Sequence, residues 1–264
     1  MIILAIAVLF LLLLFVYMIC PNKKRVNGLP SLMYAHRGLH GNGVPENSLS
    51  AFILAKERKL GVELDVQLTL DKKLVVFHDD NLKRMCGVDK KISELTWNQL
   101  KKFRLNNTDE SIPLFSEVLN VLDGMPVICE IKSYPGDSTT DICGSVSREI
   151  SNYKGFVCIE SFNPFAVQWF RKKHPDILRG QLSMNFMKNR KVMRFIDAFL
   201  MTHLLVNFIS RPDFIAYRFK DCSFGYFLCR KLFHPIIVVW TLRSRDLCEE
   251  MEKEYQGIIF EEIQ

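Results

Sequence analysis

No Cys-x-x-Cys pair and no Cys/His spacing of a zinc site occurs in this chain, which argues against a soft-metal centre. Its 8 cysteines lie scattered at positions 20, 86, 129, 143, 158, 222, 229 and 248, mostly in apolar surroundings such as Val157-Cys158-Ile159. Unpaired, buried thiols fit a reducing compartment better than a secreted disulfide framework. No internal repeat or low-complexity tract stands out. The formal net charge is +6, yet no basic tract interleaved with aromatics accompanies it. A nucleic-acid role therefore has no motif behind it, whereas a modest basic excess suits anionic lipid or phosphate substrates.

Residues 2–20 lack any charge, Gly or Pro. That is about the length a helix needs to cross the ~30 Å hydrocarbon core. A cleaved signal peptide would carry a positive n-region, a shorter apolar core and a small-residue cleavage site; all three are missing. Cys20 follows Ile19 rather than the small residue that lipoprotein processing favours. The expectation is an uncleaved transmembrane anchor at 1–20, a linker at 21–31 broken by Pro21, Gly28 and Pro30, and one domain at 32–264. Lys23, Lys24 and Arg25 follow the span directly, so the positive-inside rule places that domain on the cytoplasmic side.

The remaining length is close to the ~250 residues of one (β/α)₈ barrel. Short apolar runs alternate with amphipathic stretches, which predicts a parallel sheet with helical crossovers. Strands are expected at 32–35, 62–68, 74–77, 127–131, 157–161, 178–182, 204–207, 236–240 and 258–260. Helices are expected at 47–58, 96–103, 140–152, 164–173, 188–200 and 244–254. Nine strands exceed the eight places of a barrel, and the gap from Leu68 to Leu74 is too short for a crossover. That pair must connect locally, or one run is no barrel strand.

The chemistry-bearing residues concentrate early. Ala35-His36-Arg37-Gly38, Pro45-Glu46-Asn47-Ser48, Glu63-Leu64-Asp65-Val66 and Val76-Phe77-His78-Asp79 bring together histidines, carboxylates and an arginine. Val127-Ile128-Cys129-Glu130-Ile131-Lys132 adds an acid and a base two apart. Side chains at i and i+2 of a strand point the same way, so Glu63 with Asp65, and Glu130 with Lys132, can each face one pocket.

These motifs, in this order, resemble the glycerophosphodiester phosphodiesterase family, in a membrane-anchored, bacterial-type form. The likeness runs from about Met33 to the C-terminus and includes Ile159-Glu160-Ser161-Phe162-Asn163-Pro164, Val239-Trp240-Thr241-Leu242 and Gly257-Ile258-Ile259-Phe260. It implies an α/β TIM barrel preceded by the one N-terminal membrane helix, and a metal-dependent hydrolase that releases glycerol phosphate and an alcohol. It also implies Glu63, Asp65 and Glu130 as ligands of one divalent cation, and a glycerol hydroxyl attacking first to give a cyclic phosphate. Clustered carboxylates repel unless a cation neutralises them, and all-oxygen donors indicate Mg²⁺ or Ca²⁺. Glu46 is expected as a further ligand or as a partner orienting His36 or Arg37.

Phosphodiester cleavage needs neutralised phosphoryl oxygens, a deprotonated nucleophile and a protonated leaving group. Arg37 and Lys132 would supply the first together with the metal; His36 and His78 would serve as the general base and the general acid, in either order. Trp240 and Phe162 would wall the pocket mouth or fill the core. His40, His174, His203 and His234 are expected to be ordinary core or surface histidines. Phenylalanines gather between Phe195 and Phe233, as core or as a membrane-facing rim. Two rival readings are a phospholipase of the C or D type acting on lysophospholipids or phospholipids, and an inactive membrane-bound binding protein. The ending Phe260-Glu261-Glu262-Ile263-Gln264 departs from the family's usual Thr-Asp-Arg-Pro type close.

Overall fold

The computed structural model describes residues 1–22, 28–134, 136–188 and 193–261. The expected Lys23, Lys24 and Arg25 cluster and the last three residues, 262–264, lie outside them. The chain opens with helix α1 (Ile2–Ile19), of mean hydropathy 3.3 and almost wholly exposed. There follow β1 (Met33–His36), α2 (Leu49–Glu57), β2 (Gly61–Leu68), β3 (Leu74–Val76), α3 (Lys83–Cys86), α4 (Trp97–Leu100), α5 (Phe115–Leu122) and β4 (Val127–Ile131). Next come α6 (Thr139–Ile150), β5 (Val157–Ser161), α7 (Pro164–Lys173), β6 (Arg179–Ser183), α8 (Phe195–Thr202) and α9 (Asn207–Ser210). β7 (Phe214–Arg218), α10 (Phe224–Phe233), β8 (Ile236–Leu242), α11 (Arg245–Met251) and β9 (Gly257–Phe260) complete it.

Strand order β1-β9-β8-β7-β6-β5-β4-β2, closed by a β1–β2 pairing, makes an eight-stranded parallel TIM barrel. β3 pairs antiparallel with β2 outside that ring, which resolves the surplus strand as a local hairpin. Its flank is extended by the segment after His78, where Leu82, Met85, Ile92, Leu100 and Ile112 build a small separate core on Val75 and Phe77. Tyr34, Ile128, Leu182, Phe214, Val238 and Ile259 pack together as another buried cluster drawn from the barrel strands. Gly180 belongs there by necessity, since a Cβ would sit 2.1 Å from Cε2 of Phe214.

Helix starts follow local chemistry. Ser48, Asn163 and Ser223 each accept a backbone N–H from two or three residues further on, at the start of α2, α7 and α10, and Pro164 opens α7 where its missing N–H costs nothing. The amphipathic helices turn their apolar faces to the barrel; Phe115, Val118, Leu119 and Leu122 of α5 recur at the spacing that such a face requires.

One strand expectation is overturned. Leu204–Val206 form a buried turn between α8 and α9 in which Leu204 has φ 58°, Asn207 opens α9, and β7 is formed instead by Phe214–Arg218. A short apolar run does not distinguish a strand from a buried turn, because both hide the same side chains. The expected helix at 188–200 is α8 at 195–202, with 189–192 outside the described residues. The helices α5 and α10 were not expected.

Candidate active site

Parallel pairing carries the C-terminal ends of the eight barrel strands to one face, the antiparallel β3 returns the chain along β2 to His78, and the register decides which side chains meet there. His36 pairs with Glu63, Asp65 with Glu130, and Glu130 with Glu160. Glu63, Asp65 and Glu130, all buried, offer carboxylate oxygens within 4.8 Å of one another. Lys132 Nζ, just past the end of β4, lies 2.7 Å from Glu130 and 2.8 Å from Asp65, so this acid and base two apart share one pocket. Arg37 Nε lies 3.4 Å from Asp65, whose other support is Asn47, donating from Nδ2 at 2.8 Å.

Arg37 follows the end of β1 in the left-handed region, φ 57°, and its backbone N–H donates to Glu63 at 3.2 Å. Its guanidinium donates to Glu46 at 2.7 Å. Glu46 also accepts from Arg84 at 2.7 and 2.8 Å, and it stands outside the three-carboxylate cluster among the described residues. Arg84 donates as well to both oxygens of Asp79, at 2.7 and 3.1 Å. Asp79 in turn lies 2.7 Å from Nδ1 of His78, while the His78 carbonyl accepts from the Tyr134 hydroxyl at 2.6 Å.

His36 has a matching partner: its Nδ1 lies 3.0 Å from Glu261, which Arg243 holds through both oxygens. An ionised carboxylate only accepts, so the Nδ1 of each histidine carries the proton and each Nε2 is left to exchange a proton in the pocket. His36 Nε2 stands 3.8 Å from Glu63. His40, expected to be ordinary, brings a ring nitrogen into the same group as His36 and Glu261. His174 stacks on Trp169, His203 meets Phe199 at a tilt, and His234 ends α10.

Burial pushes Glu63 well above the usual carboxylate range, and the charges of Asp65, Glu130 and Glu160 add to it. Burial raises Glu160 likewise, with Glu130 as the next cause, and raises Glu130 against the pull of Lys132. Asp65 goes the other way: burial works to raise it, but Lys132, Arg37 and His78 outweigh that and hold it well below. Burial lowers His36 more than Glu261 raises it. The hydrogen bond from His36, with Arg243 helping, keeps Glu261 ionised well below its ordinary range.

The donor set fits a divalent cation. Four buried carboxyls, Glu63, Asp65, Glu130 and Glu160, face two cationic side chains, Arg37 and Lys132, and Glu160 Oε2 has no hydrogen-bond partner among the described residues. Uncompensated buried carboxylates are costly, and a doubly charged ion with oxygen ligands removes the deficit. Trp240, at the end of β8, meets Phe162 edge-on at 5.9 Å, and Phe162 meets Phe186 at 5.8 Å. Together they make an aromatic wall between the ends of β5 and β8.

Asp79, Arg84, Glu160, Glu261 and Arg243 escaped the reading of the sequence. Asp79 had a signal, standing beside His78; Glu160 lay in a quoted motif without a role. Arg84, Arg243 and Glu261 carried none, because only the fold brings them to the histidines.

The sequence profile of the glycerophosphoryl diester phosphodiesterase family matches residues 36–215. A glycerophosphodiester phosphodiesterase of Caldanaerobacter subterraneus subsp. tengcongensis is 34% identical over 167 residues, 58% of this chain and 67% of that protein. One from Bacillus altitudinis is 32% identical over 58% of this chain and 66% of its own length. The aligned stretch thus spans about two-thirds of these bacterial relatives. A human lysophospholipase D is 33% identical over 47% of this chain and 42% of its own. Among solved structures, a phosphodiesterase of Oleispira antarctica in complex with sn-glycerol-3-phosphate superposes with TM-score 0.71 at 22% identity, covering 88% of this chain and 93% of that one. A Thermotoga maritima glycerophosphodiester phosphodiesterase gives TM-score 0.66 at 26% identity, covering 89% and 96%.

Proposed function

This chain belongs to the glycerophosphoryl diester phosphodiesterase family, whose reaction is hydrolysis of glycerophosphodiesters, and from that premise we propose that His36 and His78 are its general base and general acid. The pairing of each imidazole with its own carboxylate, Glu261 and Asp79, carries this reading. It fixes both Nδ1 protons and presents both Nε2 atoms to the diester. His36, lowered by burial, is neutral near pH 7 and takes the proton of the attacking hydroxyl. His78 hands its Nε2 proton to the departing alkoxide. Arg37 and Lys132 bind the phosphoryl oxygens, and the network through Glu46 and Arg84 keeps the Arg37 guanidinium aimed.

The family is divalent-metal dependent, and Glu63, Asp65 and Glu130 would hold the ion, Mg²⁺ or Ca²⁺ by their oxygen donors. Once bound, it would neutralise charge on the phosphoryl group. Trp240 and Phe162 pack on the glycerol side of the substrate. The first product is a cyclic phosphate if a glycerol hydroxyl attacks; water then opens it to glycerol phosphate. We place the domain, residues 32–264, at a membrane through residues 2–20, on the cytoplasmic side; the length and apolar character of α1 support the anchor.

The test uses the full chain in detergent with glycerophosphocholine, glycerophosphoethanolamine, glycerophosphoglycerol and a lysophospholipid, with and without EDTA, followed by phosphorus NMR. Chelator-sensitive release of glycerol phosphate from the small diesters is the expected result. Turnover of the lysophospholipid alone would move the chain to the phospholipase reading, and silence on all four with metal bound would overturn catalysis.

A further inference from the structure

The last turn of α1 is seated on the barrel rather than hung from it. The Ile19 carbonyl accepts from Asn207 Nδ2 at 2.9 Å and from Cys229 Sγ at 3.4 Å, and Arg211 donates to the carbonyls of Tyr17 and Cys20. Asn22 N–H donates to Pro212, just before β7. Going back along α1 from Ile19 to Phe15 moves from Cys229 to Phe224 along α10, since the Phe15 and Phe224 rings lie 5.7 Å apart. Phe224 opens α10 directly after β7 and its loop, so this direction leads toward the barrel face that carries His36 and His78. Ile2–Leu14, all exposed, continues that way for about 20 Å.

An exposed aromatic strip adjoins the helix on the same face. α8 lies over the strand ends, because Ser183 donates to the Met201 carbonyl and Tyr217 and Ser223 to that of Thr202. Phe195 stacks toward Phe199, Phe199 meets His203 at 4.5 Å, and His203 accepts from the N–H of Gly225, next to Phe224. Phe195, Ile196, Phe199, Phe224 and Phe227 are all exposed, Ile196 to 68%. The strip therefore runs without a break from α8 to α1.

We infer that Phe195, Ile196 and Phe199 of α8, with Phe224 and Phe227 of α10, are a bilayer-contacting rim that turns the mouth of the active site toward the membrane in which α1 sits. This rests on the reading of α1 as a membrane helix. Continuity with α1 names the occupant: a surface contiguous with a lipid-immersed helix, at its exit point, meets lipid before anything else. Arg194, just before α8, is paired with Asp197, and apolar burial carries the contact.

The full chain is reconstituted into vesicles of phosphatidylcholine with bromines on the acyl chains, carrying a fluorescent amino acid at Leu11, Phe195 or Lys154. Lys154 precedes β5 at the opposite end of the barrel and is exposed. Loss of emission at Leu11 and Phe195, with Lys154 bright, is the expected result. Quenching at Leu11 but not at Phe195 overturns the rim and leaves the anchor standing. Bright emission at all three sites overturns the anchor reading, and the rim with it; quenching at Lys154 as well overturns the orientation.

Discussion

Glu261 Oε1 lies 3.0 Å from Nδ1 of His36, joining the residue that follows the last barrel strand to the residue that ends the first. The β1–β9 pairing closes the ring and brings the two together. At an ending that departs from the family's usual close, the Glu261 carboxylate thus reaches the imidazole and is itself gripped by Arg243.

Glu261→Gln should lower kcat by about 10²-fold, since the amide no longer fixes the tautomer. The carboxylate stabilises protonated His36, so its loss lowers the imidazole further. The acid limb of the kcat/KM profile then moves to lower pH. A full pH-rate profile checks both; an acid limb moving to higher pH would contradict the assignment.

His36→Ala and His78→Ala should each lower turnover by about 10²–10⁴-fold, the usual contribution of general acid–base catalysis, with unchanged circular dichroism. Wild-type rates in both variants would sink the mechanism.

Arg84→Lys should lower kcat by about 10-fold while leaving the melting temperature nearly unchanged. A lysine is a point donor and cannot grip Glu46 and Asp79 at once, whereas ion pairs of a half-exposed arginine contribute little stability. Steady-state kinetics beside thermal melts separate the two effects.

Metal should act on stability as well as rate. The folded pKa values of Glu63, Glu130 and Glu160 are raised, so their ionisation destabilises the fold as pH climbs past the ordinary ~4.3 of an unfolded glutamate. With EDTA, Glu160→Gln should melt higher than wild type at pH 7, and adding Mg²⁺ or Ca²⁺ should raise the wild-type melting temperature. Glu63→Ala should need more of the ion for activity. A wild-type melt indifferent to both ions would refute the three-carboxylate site.

Asp79 is depressed: burial opposes this, but the hydrogen bonds from His78 and Arg84 prevail. Its stabilisation is present above the ordinary ~3.9 of an aspartate and is lost as pH falls through the lower folded value. Asp79→Asn should therefore be less stable at neutral pH and lose less stability between pH 5 and pH 2, read from urea midpoints.

The period-two alternation of strands made Glu63 with Asp65, and Glu130 with Lys132, legible before any fold was known, because that geometry is local. The same local rule could not tell the Leu204–Val206 turn from a strand, since burial of an apolar run looks alike in both. Lone histidines were equally ambiguous: His40 reads as ordinary until closure of the barrel sets it beside His36 and Glu261.

By itself, then, the sequence determined the barrel's βα rhythm, the apolar N-terminal helix, and the grouping of Glu63, Asp65 and Glu130 in one cluster. Tertiary structure decided who stands behind the histidines and the cluster: Glu261 behind His36 by closure of β9 onto β1, Arg84 between Glu46 and Asp79, and Glu160 beside Glu130 by register. It also decided that α1 leaves toward the catalytic face. Local patterns follow from backbone periodicity over a few residues, whereas these partners are set by strand pairing and packing between segments far apart in the chain, which no spacing along the chain encodes.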